Sequence, residues 1–211
     1  MKHPIFGRLA LVLLALLVAN ASAALTKKNG CYQIGTANAL YEFADIVNGT
    51  GSYATAEPTA CGELTANITV NSNVLNEDGT LATAPAGGFK VWTPIGKKAS
   101  LSRDDKPFSG KFDGHGYEIR GLYYNDGTKM YSDDHRYIGL FGYISGGTSE
   151  APVSISNVRV VDSYFDGSTY VGGLVARAKE FVDISNSSYK GVVMGNQYVG
   201  GLAGYGGTFI V

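Results

Sequence analysis

The spacing of apolar residues along this chain changes several times, and each change marks a different kind of element. Leu9 to Ala19 is an unbroken apolar run of 11 residues, preceded by Lys2 and Arg8 and followed by Ala21-Ser22-Ala23. A basic start, a short apolar centre and an A-x-A site define a secretory signal peptide over residues 1–23. The run falls short of the ~20 apolar residues that a bilayer span requires, so no membrane span is expected once the signal is cleaved. Further on, Leu40, Phe43, Ala44 and Val47 fall at i, i+3, i+4 and i+7. That stripe predicts an amphipathic helix, with Thr36 as N-cap and Asn48-Gly49 as its stop. From Leu64 to Asn71 apolar and polar residues alternate, which predicts a strand with one buried face. Asn76 to Gly79 and Ala86 to Gly88 carry loop residues.

From about residue 89 onward the pattern repeats. Tyr137-Ile138-Gly139-Leu140-Phe141-Gly142 is echoed by Tyr170-Val171-Gly172-Gly173-Leu174-Val175-Ala176 and by Tyr198-Val199-Gly200-Gly201-Leu202-Ala203-Gly204. Leu140, Leu174 and Leu202 are 34 and 28 residues apart, and Ile155-Ser156-Asn157 recurs 29 residues later as Ile184-Ser185-Asn186. Short strand-like pieces separated by Gly, Asn, Asp and Ser cannot bury an apolar face alone, so successive units must stack. Units of three short strands laid parallel at the ~4.8 Å strand spacing predict an all-β fold, a parallel β-helix. A repeating sandwich or propeller is the rival. In the stacked arrangement Tyr137, Tyr170 and Tyr198 form an aromatic column, Leu140, Leu174 and Leu202 an aliphatic one, and Asn157 over Asn186 an amide ladder. The glycines are expected where corners need positive φ or close backbone approach. The organisation expected is a signal peptide at 1–23, a helical cap and first strands at 24–88, and repeats at 89–211.

The three Tyr-Val-Gly-Gly-Leu-type segments resemble the GLUG motif, a glycine-rich repeat of exported and surface-anchored bacterial proteins. Trp92-Thr93-Pro94-Ile95-Gly96, Phe108 to Tyr117 and Ile119-Arg120-Gly121-Leu122 resemble the segment that precedes such repeats, and Tyr32-Gln33-Ile34 with the helix resembles its helical cap. The likeness covers nearly all of residues 31–206; it departs at Ala176, where Gly is usual, and at Ile138-Gly139-Leu140, which has one Gly fewer. It implies a right-handed parallel β-helix in exported proteins, many of them large adhesin-like chains and some of them bacterial surface peptidases whose catalytic domain lies elsewhere.

Composition narrows the function. With 29 Gly and 14 Tyr but only 17% charged residues and a net charge of -1, the chain offers no cationic footprint for nucleic acid. Export gives meaning to the two cysteines, Cys31 and Cys61, which can pair in an oxidising compartment; two buried thiols are the alternative. Without matching histidines they do not make a zinc site. Setting Asn157 on Asn186 brings Asp162 against Gly191 and Asp166 near Gly195 and Asn196, so no carboxylate pair aligns for catalysis. Asp133 and Asp134 are the weak candidates for a metal, in a loop where solvated charge is the simpler reading. His115, in a Gly-rich turn, reads as structural. Tyr123, Tyr124, Tyr131 and Tyr143 could stack on sugar rings, although packing between repeats is the favoured explanation for them.

These features predict a secreted or cell-surface, non-enzymatic module that needs no cofactor. It would be an adhesion or binding scaffold for a glycan or a cell-surface protein, and the N-terminal part of a larger protein. The alternative is a fragment of a polysaccharide-active β-helix enzyme. The apolar Thr208-Phe209-Ile210-Val211 has no polar cap, which predicts truncation or end-to-end self-association through an uncapped last coil.

Overall fold

A computed structural model describes residues 25–99, 104–125, 127 and 136–207, and the backbone of Phe209–Ile210. The expected signal peptide and the pair Asp133 and Asp134 lie outside the described residues. In chain order the elements are β1 (Lys27–Lys28), β2 (Cys31–Ile34), α1 (Ala37–Asn48), β3 (Cys61–Leu64), β4 (Ile68–Thr69), β5 (Lys111–Asp113), β6 (Glu118–Arg120) and β7 (Tyr123–Asn125). There follow β8 (Arg136–Ile138), β9 (Phe141–Ile144), β10 (Val153–Ser156), β11 (Arg159–Asp166), β12 (Thr169–Gly172) and β13 (Val175–Ala178). The last are β14 (Val182–Ser185), β15 (Ser188–Met194), β16 (Gln197–Gly200), β17 (Ala203–Gly206) and β18 (Phe209–Ile210).

The strands form four small sheets. Seven strands run in the order β1-β2-β3-β5-β10-β14-β18, and five include β15-β11-β6-β4 with β7 beside β11. Two three-stranded sheets, β16-β12-β8 and β17-β13-β9, complete the set. This corrects the expected all-β, right-handed parallel β-helix with a terminal helical cap. The large sheet is mixed, because Asn29 and Gly30, both at positive φ, turn β1 back antiparallel on β2. The helix is no terminal cap either: it is inserted between β2 and β3, which pair directly in parallel. The described residues between Val70 and Gly110 contribute only isolated bridges, so the regularity read from residues 137–204 does not extend across them.

The helix forms where capping allows. The Thr36 side chain accepts the Ala39 N–H, and Gly49 closes the last turn in the left-handed region. Its apolar stripe is buried, and Phe43 meets Tyr32, Phe108 and Phe112 at ring distances of 5.9, 6.3 and 5.7 Å. The alternation over Leu64 to Asn71 belongs to two strands, not one. Leu64 and Ile68 both face inward, but a corner at Thr65–Asn67 sends β3 and β4 into different sheets. Period-2 burial continues through such a corner, which hides it from the pattern.

Within the repeats, parallel strands register residue on residue: Ile138 on Val171 on Val199, and Phe141 on Val175 on Ala203. The main core cluster runs from Ile34 and the helix through Phe108, Phe112 and Phe141 to Leu174 and Val175, and a smaller one gathers Val74, Phe89 and Tyr164.

Candidate functional site

The recurring Tyr-x-Gly-x-Leu segments build the most distinctive surface. Tyr137 and Tyr170 stack at 5.0 Å and 6°, and Tyr170 and Tyr198 at 4.8 Å and 5°. Tyr205 meets Tyr170 and Tyr198 edge-on at 5.8 and 5.3 Å. The Arg177 guanidinium lies 5.0 Å from the Tyr170 ring and 5.7 Å from Tyr205, and Arg136 lies 5.3 Å from Tyr137, a geometry for cation–π attraction. The three stacked tyrosines hold positive φ values of 60°, 56° and 53°. Left-handed backbone at a bulky residue is uncommon, and here it recurs at the same position of each repeat. The glycines take both expected roles, positive φ at Gly96 and Gly121 and close backbone approach at Gly139 and Gly173, while the three tyrosines, Asn157 and Asn186 also hold positive φ.

The columns change character at their last member. Tyr137, Leu140 and Leu174 are buried, while Tyr198 is 49%, Val199 42% and Leu202 40% exposed. Met194 and Tyr205 are exposed beside them. All five belong to the β15–β17 stretch, and β15, β16 and β17 each lie at the edge of their sheet. The opposite edge is covered: Ile95 bridges Phe141 in parallel, Phe108 bridges Ile144, and the Trp92 indole N–H donates to the Gly139 carbonyl at 3.0 Å. Exposed apolar residues beside strand edges that are unpaired among the described residues are what binding by strand addition uses.

The other expected site residues are placed as follows. Cys31 and Cys61 sit opposite each other in β2 and β3 and form a disulfide, with Cα atoms 4.5 Å apart. Glu63 lies close by, but the two sulfurs are bonded to each other and are not available as metal ligands. The Asn157 carboxamide donates to Asp113 at 2.9 Å instead of forming a ladder with Asn186, which is exposed. Asp162 is a bulge, so Ser163 and not Asp162 faces Gly191, and Asp166 pairs with Met194. Tyr143 is buried and Tyr123 is sandwiched between Phe89 and Tyr164, which removes both as platforms for sugar rings. Tyr131 lies outside the described residues.

One constellation escaped the sequence. Glu63 and Asp113 are registered neighbours in β3 and β5, and His115 lies between them, 4.0 Å from Glu63 and 3.8 Å from Asp113. Glu63 and His115 line a cleft of about 440 Å³ together with Lys28, Gln33 and Tyr117. Both carboxylates already serve structural donors: Gln33 to Glu63, and Asn157 with the His115 backbone N–H to Asp113. Although burial opposes it, these donors hold the Asp113 carboxyl below the usual carboxylate range. The two acids are 50 residues apart in sequence, and no repeat connects them.

A larger cleft of about 630 Å³ is lined by Trp92, Lys97, Lys98, Lys106, Arg136 and Tyr137 among others. Lys98 and Lys106 are neutralised there by Asp105 and Asp104. The disulfide fits an oxidising environment, and among the described residues no helix is long and apolar enough to cross a membrane. Compared with known proteins, the chain matches no family model, no curated protein and no solved structure.

Proposed function

We propose that this chain is an exported, non-enzymatic scaffold that acts in surface adhesion or binding through its β15–β17 edge. The observation that carries the reading is the joint exposure of Met194, Tyr198, Val199, Leu202 and Tyr205 on adjoining strand edges. The preceding members of the Val199 and Leu202 columns, Val171 and Leu174, are core residues, which supports reading the exposed pair as a surface that is covered in use. The disulfide and the likeness of the repeats to those of surface-anchored bacterial proteins support export. The test is retention of the purified protein on a panel of polysaccharides, cell walls and cell surfaces. Retention on at least one surface, lost in Leu202→Asp, is expected; no retention anywhere contradicts the reading.

A second reading, a polysaccharide-active enzyme, has the Glu63–His115–Asp113 cluster on its side. It requires release of sugar products from a polysaccharide and loss of that release in His115→Ala. We favour binding because both carboxylates already serve structural donors.

A further inference from the structure

The strands β2, β3 and β5 bring chemically unlike side chains to one spot on the large sheet. Cys31 pairs with Cys61 across β2 and β3, and Glu63, two residues on, shares the half-buried face of Cys61. Single ligand atoms of Cys31, Cys61 and Glu63 lie within 4.8 Å of one another. The turn after β5 carries His115, whose Nε2 lies 4.0 Å from Glu63 while its Nδ1 lies 3.8 Å from Asp113. Asp113 is itself fixed, because its carboxylate accepts the His115 backbone N–H at 2.8 Å and the Asn157 carboxamide at 2.9 Å. A carboxylate beside one imidazole nitrogen, with the other nitrogen turned toward a set of donors, is how metal-binding histidines are oriented.

In the oxidised chain the two sulfurs are bonded to each other. Both cysteines are only half-buried, so a small reductant can reach the bond. A dithiol gives it two electrons and two protons, departs as a cyclic disulfide, and leaves one thiol on β2 and one on β3. Lys28 and Lys111 are registered against Cys31 and Cys61, and neighbouring ammonium groups favour the thiolate, which is the form that binds metal. Two thiolates, a carboxylate and an imidazole then converge, a donor set that suits zinc and its near relatives. Calcium and magnesium take oxygen ligands and have no use for the thiolates.

We propose that reduction of the Cys31–Cys61 disulfide turns this spot into a binding site for a zinc-class divalent cation, held by Cys31, Cys61, Glu63 and His115. Asp113 is the positioning residue for His115. Binding releases the two thiol protons to solvent, and coordination restores the link between β2 and β3 that reduction breaks. The site is independent of the β15–β17 edge.

The test uses the full chain, reduced by a dithiol and freed of it by gel filtration under argon, with Co²⁺ as a coloured stand-in for Zn²⁺. A one-to-one complex with thiolate-to-cobalt charge-transfer bands and tetrahedral ligand-field bands is expected, its colour lost when Zn²⁺ displaces the cobalt. The oxidised chain and Cys31→Ser should not give these bands. Glu63→Gln and His115→Ala should each weaken Co²⁺ binding by more than about tenfold, and His115→Ala should also shift the ligand-field bands. Asp113→Asn should weaken binding by about tenfold or more with the bands unmoved, which separates positioning from ligation. If the reduced chain loses its circular-dichroism signal, Zn²⁺ should restore it. Absence of the bands in the reduced chain overturns the proposal, as does undiminished affinity in either Glu63→Gln or His115→Ala. So does equal affinity in the chain unfolded by urea, or a reduced chain that stays unfolded with Zn²⁺.

Discussion

The segments Phe141–Ala178 and Gln197–Gly206 place the same residue types in the same columns, yet one half of the molecule is sealed and the other is open. In the sealed half Trp92, Ile95 and Phe108 close the outer edge of β9, and Leu140 and Leu174 are fully buried. In the open half the leucine of the same column, Leu202, is 40% exposed and the strand edge has no neighbour among the described residues. Residue type alone therefore does not decide whether a position is core or surface; what lies on the next strand does. A stacked fold concentrates its binding potential wherever stacking stops.

The sharpest way to break this comparison is to place a charge in both halves. Leu174→Asp buries an unpaired carboxylate and should cost roughly 4 kcal/mol or more, whereas Leu202→Asp should cost under about 1 kcal/mol. Denaturant titration of the two variants checks it, and equal losses would dissolve the distinction. Next comes the disulfide, remote from the open edge. Replacing Cys31 and Cys61 by Ala should lower stability by roughly 3 to 4 kcal/mol for a crosslink of this loop length, without changing retention through the edge. Gly173→Ala should destabilise by roughly 1 to 3 kcal/mol through collision with the Gly201 carbonyl, and Gly201→Ala should be neutral or stabilising by about 0.4 to 1 kcal/mol, read from thermal melts.

The smallest effect concerns pH. The Gly146 N–H and the Ser145 hydroxyl, donating to Glu180, hold its carboxyl below the ordinary carboxylate value. A depressed pKa contributes stability that is present above the unfolded value near 4.5 and is lost as pH falls through the folded one. Glu180→Gln should remove that acid-side dependence, by under about 1 kcal/mol given its partial exposure. It joins the middle repeat to the preceding one, so the open edge should keep its properties.

Much of this was legible before any coordinates. The helix could be read because Thr36 and Gly49 are caps whose chemistry is local, and the tyrosine and leucine columns because a period survives short insertions. Three features were not legible, each for a non-local reason. The bulge at Asp162 shifts β11 by one residue, which moves Ser163 opposite Gly191 and cannot be counted from sequence. Glu63 and Asp113 meet only because β5 pairs with β3 across the irregular stretch between them. The positive φ of the tyrosines is unusual for an aromatic residue, so no local propensity announces it. The right-handed parallel β-helix expected from the repeat failed for a related reason. The repeat governs residues 137–204, while the helix, the antiparallel β1 and the bridged stretch before Gly110 obey other constraints.

Amide hydrogen exchange on the monomeric protein tests the central claim most directly, residue by residue at two pairs of equivalent groups. The Gly173 and Leu174 N–H groups, bonded to Gly201 and Leu202, should exchange only on global unfolding. Those of Gly201 and Leu202 should exchange at least about a thousandfold faster, as expected for an open edge. Equal protection at both pairs in the monomer would show that the edge is already covered and would contradict the account.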